Sequence, residues 1–377
     1  MGILHFTSYL KHSGANKEVP SLRTQFQKSN IGTIIIDVIP MFKFLLRRYA
    51  YNLFRAENDN NQYAVDKILD LFTGNMLAHV KELIKNSPRK ACLVLDGDYL
   101  RAMDRKKYIN NGARCEQMFK LARKLLRDPH VEQKHKRITE IACQWVSFTN
   151  KYKMIIINHL RSRGIYQLDR NDKKNVPKLF YVRALAEAAP EIVVLARMNK
   201  FFGKTAILSP DPHLFAYRGA LGSLRVLKID WNSPDLQCIV TSKIELLHCF
   251  KLIYSNDETP LEAENRLAVL ISVGGNYYAD KPESYGVETI KKIMISGCER
   301  KSATKANVLL EGLLNCLNMP EKERIVYRMA LHQFGNPLIN SNNPHRTEGL
   351  VMQINCHIQK LVDGAPDYFH RDGRLRQ

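Results

Sequence analysis

The stretch GTIIIDVIP, residues 32–40, decides the fold of this chain. Its three consecutive isoleucines stand between turn-forming residues, a pattern that predicts a short buried strand. Two other runs have the same character, KACLVLDGD at residues 90–98 and TAIL at residues 205–208. Strands that are apolar throughout, instead of alternating with polar residues, are typical of a parallel sheet that is covered on both faces.

Further strands and helices fill the intervals between these three runs. The stretches KLFYVRAL and SLRVLKID predict two more strands, at residues 178–185 and 223–230. Helical patterns are found at residues 2–14, 65–86, 101–137 and 190–200. Strands that alternate with helices indicate an α/β fold with a mostly parallel sheet flanked by helices.

The pattern becomes mainly helical from about Thr241 onward. Residues 257–297 predict two short helices around a glycine-containing hairpin. The chain after Asn307 is predicted to be helical and then rich in loops.

The charge of the chain is strongly positive. It has 57 Lys and Arg residues against 37 Asp and Glu residues, a formal net charge of +20. A surplus of this size indicates a polyanionic partner, with nucleic acid as the first candidate and an anionic membrane surface as the second. Residues 101–137 alone hold 12 Lys or Arg against 4 Asp or Glu. No long basic amphipathic helix with bulky aromatic residues supports the membrane alternative.

Targeting and cysteine patterns predict an intracellular protein. No apolar run approaches the roughly 20 residues that span a bilayer. The N-terminus lacks the basic-then-apolar layout of a signal peptide. The eight cysteines are scattered without a C-x-x-C pair, which argues against a zinc site and against a disulfide framework. A reducing compartment is therefore expected.

Acidic residues stand where the buried strands end. Asp37 closes the first strand, Asp96 follows the second, and Asp211 follows the third between two prolines. Because the carboxyl ends of parallel strands meet along one edge of a sheet, these carboxylates are expected to converge. Each could instead have a local role as a helix cap or turn former. Three together favour a Mg²⁺ site, and a pair of metals can activate water for phosphodiester hydrolysis.

Five segments in order resemble the flap endonuclease/XPG family of structure-specific 5′ nucleases, over roughly residues 1–300. MGILHFTSYL resembles the opening of the family, which makes Gly2 a candidate for nucleic-acid binding. IIIDV and LVLDGD resemble its metal-binding strand ends, RALAEAAPEIVVLARMNKFFGKTAILSPDPHLFA its next ligand segment, and LAVLISVGGNYYADKPESYGVETIKKI its helix-turn-helix stretch. The resemblance implies Mg²⁺ or Mn²⁺ as the cofactor. The implied catalytic metal ligands are Asp37, Asp96, Glu191 and Asp211.

The resemblance also implies a division of the chain. A PIN-like core would occupy residues 1–240 and include a basic helical arch at about residues 101–165. A helix-turn-helix DNA-binding region would follow at residues 241–307. Residues 308–377 would form a helical and loop-rich extension.

Departures from the family pattern concern the metal ligands. The E-x-E pair is absent because Pro190 stands between Glu187 and Glu191, so Glu191 is preferred and Glu187 is kept as an alternative. His213 replaces the second Asp of the "EDSD" element, and Asn276 stands where the family has Asp. Both can ligate a metal as neutral groups, but the loss of charge weakens the second of two metal sites.

Basic residues are the candidates for contacts with nucleic acid. In the family, a lysine and an arginine of the arch contact the scissile phosphate, and Arg105, Lys106 and Lys107 are nearest in position. The helix-turn-helix stretch would present Lys291 and Lys292 to a duplex backbone. Phosphate contacts of this kind give salt-dependent affinity without base readout. No convincing sliding-clamp peptide is present, so contact with a clamp is doubtful.

The sequence thus favours a metal-dependent endonuclease or 5′ exonuclease in DNA replication, repair or recombination. Its substrate would be DNA with 5′ ends, flaps or branches, with RNA as a second option. The alternative, motivated by His213 and Asn276, is a catalytically impaired nuclease fold that binds nucleic acid or scaffolds partners. We expect a monomer that acts in the nucleus or at a viral replication site. The viral setting is included because virus-encoded members of the family show similar divergence.

Overall fold

A computed structural model describes most of the chain. The described residues are 14–85, 90–97, 104–128, 133–148, 150–168, 176–184, 188–197, 204–253, 259–275, 282, 284–297 and 305–335. The helix predicted at residues 2–14 therefore lies almost entirely outside the described part.

Seven strands form one sheet at the centre of the molecule. They are β1 (Lys17–Val19), β2 (Thr33–Asp37), β3 (Lys90–Leu95), β4 (Leu179–Arg183), β5 (Thr205–Leu208), β6 (Leu224–Ile229) and β7 (Cys238–Ser242). Their order across the sheet is β1-β7-β6-β5-β2-β3-β4. The five strands from β6 to β4 in this order are parallel, and β7 runs antiparallel to both of its neighbours. The predicted α/β class with a mostly parallel sheet is confirmed, and the arrangement fits a PIN-like fold.

Helices flank this sheet in the part of the chain that the structure describes. The α-helices are α1 (Leu22–Lys28), α2 (Val38–Met41), α3 (Lys43–Asn58), α4 (Gln62–Leu83), α5 (Asp104–Arg127), α6 (Lys134–Phe148), α7 (Asn150–Ser162), α8 (Ala188–Arg197), α9 (Lys243–Cys249), α10 (Pro260–Val273), α11 (Val287–Gly297), α12 (Ala306–Cys316) and α13 (Glu321–Gly335). A short 3₁₀ helix, Pro212–Phe215, follows β5. No helix among the described residues is both long and apolar enough to cross a membrane.

The side chains of β2 divide between two hydrophobic cores, one on each face of the sheet. Ile34 and Ile36 join one core, whereas Ile35 joins the other, and all three are fully buried. Successive strand side chains point to opposite faces, so a strand covered on both sides has to be apolar at every position. This is the physical reason for the uninterrupted run of isoleucines.

The two faces are covered by different parts of the chain. Residues of α1, α3, α4, α6 and α7 fill the core that contains Ile34 and Ile36. Residues of α8 to α13 fill the core that contains Ile35. The helices after Thr241 thus share a core with the sheet, and β7 spans the position at which the PIN-like core was predicted to end.

Three helices, α5 to α7, lie between β3 and β4, where the basic arch was expected. Their helical character confirms the prediction for residues 101–137 as far as these are described. Helix α6 packs against α3, and the Cys143 thiol lies 3.8 Å from the Lys43 carbonyl oxygen. Helix α7 packs against α4, where His159 Nδ1 lies 3.0 Å from Asp70 Oδ1.

The strand predicted from GTIIIDVIP is shorter than expected. It ends at Asp37, and the next four residues form α2. Pro40 lies in the first turn of this short helix, where the missing amide hydrogen is tolerated. The strand therefore stops at the carboxylate that the sequence singled out.

Candidate active site

The carboxyl ends of three adjacent strands bring Asp37, Asp96 and Asp211 to one edge of the sheet. β2 lies between β5 and β3 and is parallel to both. Asp37 is the last residue of β2, Asp96 follows β3 directly, and Asp211 follows β5 by three residues. The predicted convergence of these strand ends is confirmed. We call this set of three residues the carboxylate edge.

Asp37 is the buried centre of the carboxylate edge. Only 6% of its surface is exposed, and its Oδ2 accepts a hydrogen bond of 2.8 Å from the Ser209 hydroxyl. It occupies the N-cap position of α2, but its side chain makes no capping hydrogen bond there. Burial holds the pKa of Asp37 well above its usual range, and the charges of Asp96 and Asp211 raise that pKa further. The helix-cap alternative for Asp37 is therefore wrong.

Ser209 joins two members of the carboxylate edge. Its hydroxyl donates to Asp37 and accepts a 3.2 Å hydrogen bond from the backbone amide of Asp211. The sequence did not single out this fully buried serine, although it directly follows the TAIL strand and so had to lie at the strand end.

Asp211 combines a local role with an electrostatic one. Its Oδ1 accepts a 2.9 Å hydrogen bond from the His213 amide and thereby caps the 3₁₀ helix. Asp211 therefore does form the local turn that the alternative interpretation predicted. The same carboxylate also contributes to the raised pKa of Asp37, so its charge acts on the centre of the carboxylate edge.

His213 lies in the core beside Asp211. Its Nδ1 is 2.8 Å from Asp211 Oδ1, and its ring stacks at 17° on Phe334 of α13 with the centroids 6.4 Å apart. Only 4% of the residue is exposed. In this position the imidazole holds the Asp211 carboxylate in place.

Asp96 contacts both the start of α8 and the basic helical region. Its Oδ1 accepts a 2.7 Å hydrogen bond from the Ala188 amide, the first of α8. Its Oδ2 lies 3.1 Å from the ammonium nitrogen of Lys153 on α7. The amphipathic pattern of α7 gave no signal that Lys153 would reach a carboxylate. The charge of Lys153 also lowers the pKa of Asp37.

Arg225 is a second buried cation beside the carboxylate edge. It lies on β6 with 3% of its surface exposed, and its Nη2 donates a 2.8 Å hydrogen bond to the Asp211 carbonyl oxygen. Its guanidinium carbon lies 3.8 Å from the centre of the Phe215 ring. Burial lowers the pKa of Arg225 to about 9, which leaves it charged at neutral pH. An arginine inside the apolar run SLRVLKID was the signal that could have identified it.

Glu191 is fully buried in the first turn of α8. Ala188, whose amide binds Asp96, lies three residues before Glu191 in the same helix. The other predicted ligands, Glu187 and Asn276, lie outside the described residues.

The residues predicted to contact nucleic acid differ in how the structure places them. Arg105, Lys106 and Lys107 lie in the first turn of α5, and Gly2 lies outside the described residues. Lys291 is largely buried, with its ammonium nitrogen 2.9 Å from Glu288. Lys292 is exposed. Lys291 is therefore a poorer candidate for a phosphate contact than Lys292.

The chemistry of the carboxylate edge fits a divalent cation. Among the described residues, no group of three or more His, Cys, Asp or Glu side chains could hold a metal ion. Mg²⁺, however, is commonly held by one or two carboxylates, while water and substrate oxygens complete its shell. Asp37 and Asp96 end adjacent strands and interact electrostatically, which meets this requirement.

Comparison with known proteins adds no family to this description. No protein-family model and no curated protein matches the chain. The fold, the carboxylate edge and the distribution of charge are the features of the molecule that bear on its function.

Proposed function

We propose that the protein is a metal-dependent phosphodiester hydrolase that acts on nucleic acid. The observation that carries this proposal is the carboxylate edge, where Asp37 interacts with the charges of Asp96 and Asp211. Carboxylates at the ends of adjacent parallel strands lie where ligands bind in open α/β sheets. The burial of Asp37 and its repulsion by the neighbouring carboxylates are typical of functional sites, and a cation would offset this repulsion.

The residues in and around the carboxylate edge have different roles in such a site. Asp37 and Asp96 hold the cation, and Ser209 keeps the Asp37 carboxylate oriented. His213 and Arg225 fix the loop that carries Asp211. Mg²⁺ or Mn²⁺, when bound, supplies activation of water and stabilisation of charge on the phosphate.

The charge of the chain supports nucleic acid as the substrate. A net charge of +20 attracts a polyphosphate backbone, and helices α5 to α7 place a basic segment between the two strands β3 and β4. The resemblance of the sequence to structure-specific 5′ nucleases favours DNA with 5′ ends, flaps or branches, and RNA is the second option.

Cleavage of a labelled 5′-flap duplex with Mg²⁺ and with Mn²⁺ tests this proposal. Asp96→Ala is expected to reduce the rate by about 100-fold or more, because it removes a cation ligand. Asp230→Ala is the matched control, since Asp230 also follows a parallel strand at this edge of the sheet. Asp230 is exposed, and its side chain accepts a hydrogen bond from the Asn232 amide. Equal cleavage by wild type and Asp96→Ala would overturn the assignment.

A catalytically impaired nucleic-acid-binding protein is the second candidate function. The observation in its favour is that two of the three carboxylates already contact a basic side chain of the protein, Asp96 with Lys153 and Asp211 with His213. Salt-sensitive binding of the flap duplex without cleavage in either metal would support this candidate over the first.

A further inference from the structure

Lys153 is a buried ammonium group that contacts the carboxylate edge from the basic helical region. Its side chain is 9% exposed, and its Nζ lies 3.1 Å from Asp96 Oδ2, within ion-pair distance. It is the fourth residue of α7, a helix that packs against α4 on one face of the sheet. Its charge also acts on Asp37.

Lys153 lies beside the carboxylates that would bind a cation. Asp37 and Asp96 are the two carboxylates that best fit a divalent cation, and Lys153 interacts electrostatically with both. A buried carboxylate such as Asp37, beside the half-buried Asp96, requires positive charge nearby, because burial of charge without compensation is costly. Lys153 supplies one such charge in the structure.

Arg225 supplies positive charge in a different way. Its guanidinium donates to a backbone oxygen and stacks on Phe215, so it is fixed by the strand and the 3₁₀ helix around it. Lys153 carries a compact ammonium on a flexible stem, and its contact is with a carboxylate oxygen that a metal would use. Of these two cations, Lys153 is the exchangeable one.

We propose that Lys153 is the resident counter-ion of the carboxylate edge and that a divalent cation displaces it from Asp96. This inference rests on the proposed role of Asp96 as a cation ligand. Binding of the cation and the Lys153–Asp96 ion pair then compete, so Lys153 sets the cation affinity of the site.

The direct test is Mn²⁺ binding to the full chain, measured by electron paramagnetic resonance or calorimetry. Lys153→Met is expected to bind Mn²⁺ about tenfold more tightly, since it removes both the competing ion pair and the repulsion of a neighbouring positive charge. Lys153→Arg keeps the charge and is expected to bind like wild type or more weakly.

Lys151→Met is the matched control, because Lys151 lies on the same helix, is more exposed and pairs with Glu57. Its Mn²⁺ affinity is expected to be unchanged. A contrary result is that Lys153→Met binds Mn²⁺ no more tightly than wild type while Asp96→Ala abolishes binding. That result would overturn the counter-ion role and leave the proposed function standing. Absence of Mn²⁺ binding in wild type and Lys153→Met alike would overturn both.

A second measurement needs no variant at Lys153. Acylation of lysines in the wild-type chain, read residue by residue by mass spectrometry, reports whether Lys153 is held in its ion pair. Saturating Mg²⁺ is expected to increase the labelling of Lys153 several-fold and to leave that of Lys151 unchanged. Labelling of Lys153 that does not respond to Mg²⁺, in a protein that binds Mg²⁺, would contradict the proposal.

Discussion

At the scale of single residues, the carboxylate of Asp37 is a buried acid with a strongly raised pKa. Burial, and then the charges of Asp96 and Asp211, hold its pKa well above the usual range of an aspartate. A raised pKa means that the folded protein holds this proton more tightly than the unfolded chain. The stabilising contribution is therefore complete below the ordinary aspartate pKa and is lost as the pH rises through the raised value.

Asp37→Asn is therefore expected to stabilise the metal-free protein at neutral pH. The amide keeps the shape and can still accept the Ser209 hydrogen bond, but it carries no buried charge. We expect the melting temperature to rise by about 3 °C or more at neutral pH and the gain to shrink in mildly acidic buffer. Thermal unfolding followed by circular dichroism, with exposed Asp230→Asn as the control, measures this. A lower melting temperature at neutral pH would contradict a raised pKa for Asp37.

The sequence predicted the three aspartates of the site but missed several of their partners. Asp37, Asp96 and Asp211 could be identified because each follows a short apolar run, which is a local pattern. Lys153 comes from a helix far along the chain, and its contact with Asp96 depends on how α7 packs. Tertiary contacts of this kind leave no periodic signal in the sequence, so Lys153 was not predictable.

At the scale of elements, helix α10 is the buried centre of the C-terminal helices. Glu264 in this helix forms a buried ion pair with Lys243 of α9 and accepts a 2.7 Å hydrogen bond from the Gly219 amide. Lys243 also donates to the Tyr217 carbonyl oxygen at 2.6 Å. These contacts tie α9 and α10 to the loop between the 3₁₀ helix and β6.

Glu264→Gln is expected to destabilise the protein by about 3 kcal/mol, because it leaves the Lys243 ammonium buried without a compensating charge. Urea unfolding measures the change. The double variant Lys243→Met/Glu264→Gln is expected to recover much of the loss, since neither charge then remains buried. Additive losses in the double variant would show that the two charges do not act as a pair.

Strands were predicted well where they are apolar throughout and poorly at the β1–β7 side of the sheet, and the long helices α3 and α7 were not predicted. β2, β3 and β5 were expected as strands, and α10 and α11 as the two helices within residues 257–297. β1 and β7 were missed. β1 has only three residues and is mostly exposed, so it lacks an apolar run. β7 directly precedes α9, whose helical pattern dominated the prediction there.

At the scale of the whole molecule, one sheet with two cores holds the carboxylate edge in place. The helices before β3 and the basic helices α6 and α7 fill one core, and the helices from α8 onward fill the other. The sequence indicated the helical regions but not that residues 241–335 share a core with the strands. Contacts between segments so distant in sequence are set by packing, which hydrophobic periodicity does not reveal. The edge between the two cores is where we place the cation and the phosphodiester substrate.

An anomalous difference map from crystals of the full chain grown with Mn²⁺ would show whether the carboxylate edge binds a cation. We predict a Mn²⁺ peak at the carboxylate edge, within about 2.5 Å of oxygens of Asp37 and Asp96, with the Lys153 ammonium withdrawn from Asp96. A map that shows Mn²⁺ only elsewhere on the protein, with Lys153 still paired to Asp96, would contradict the account.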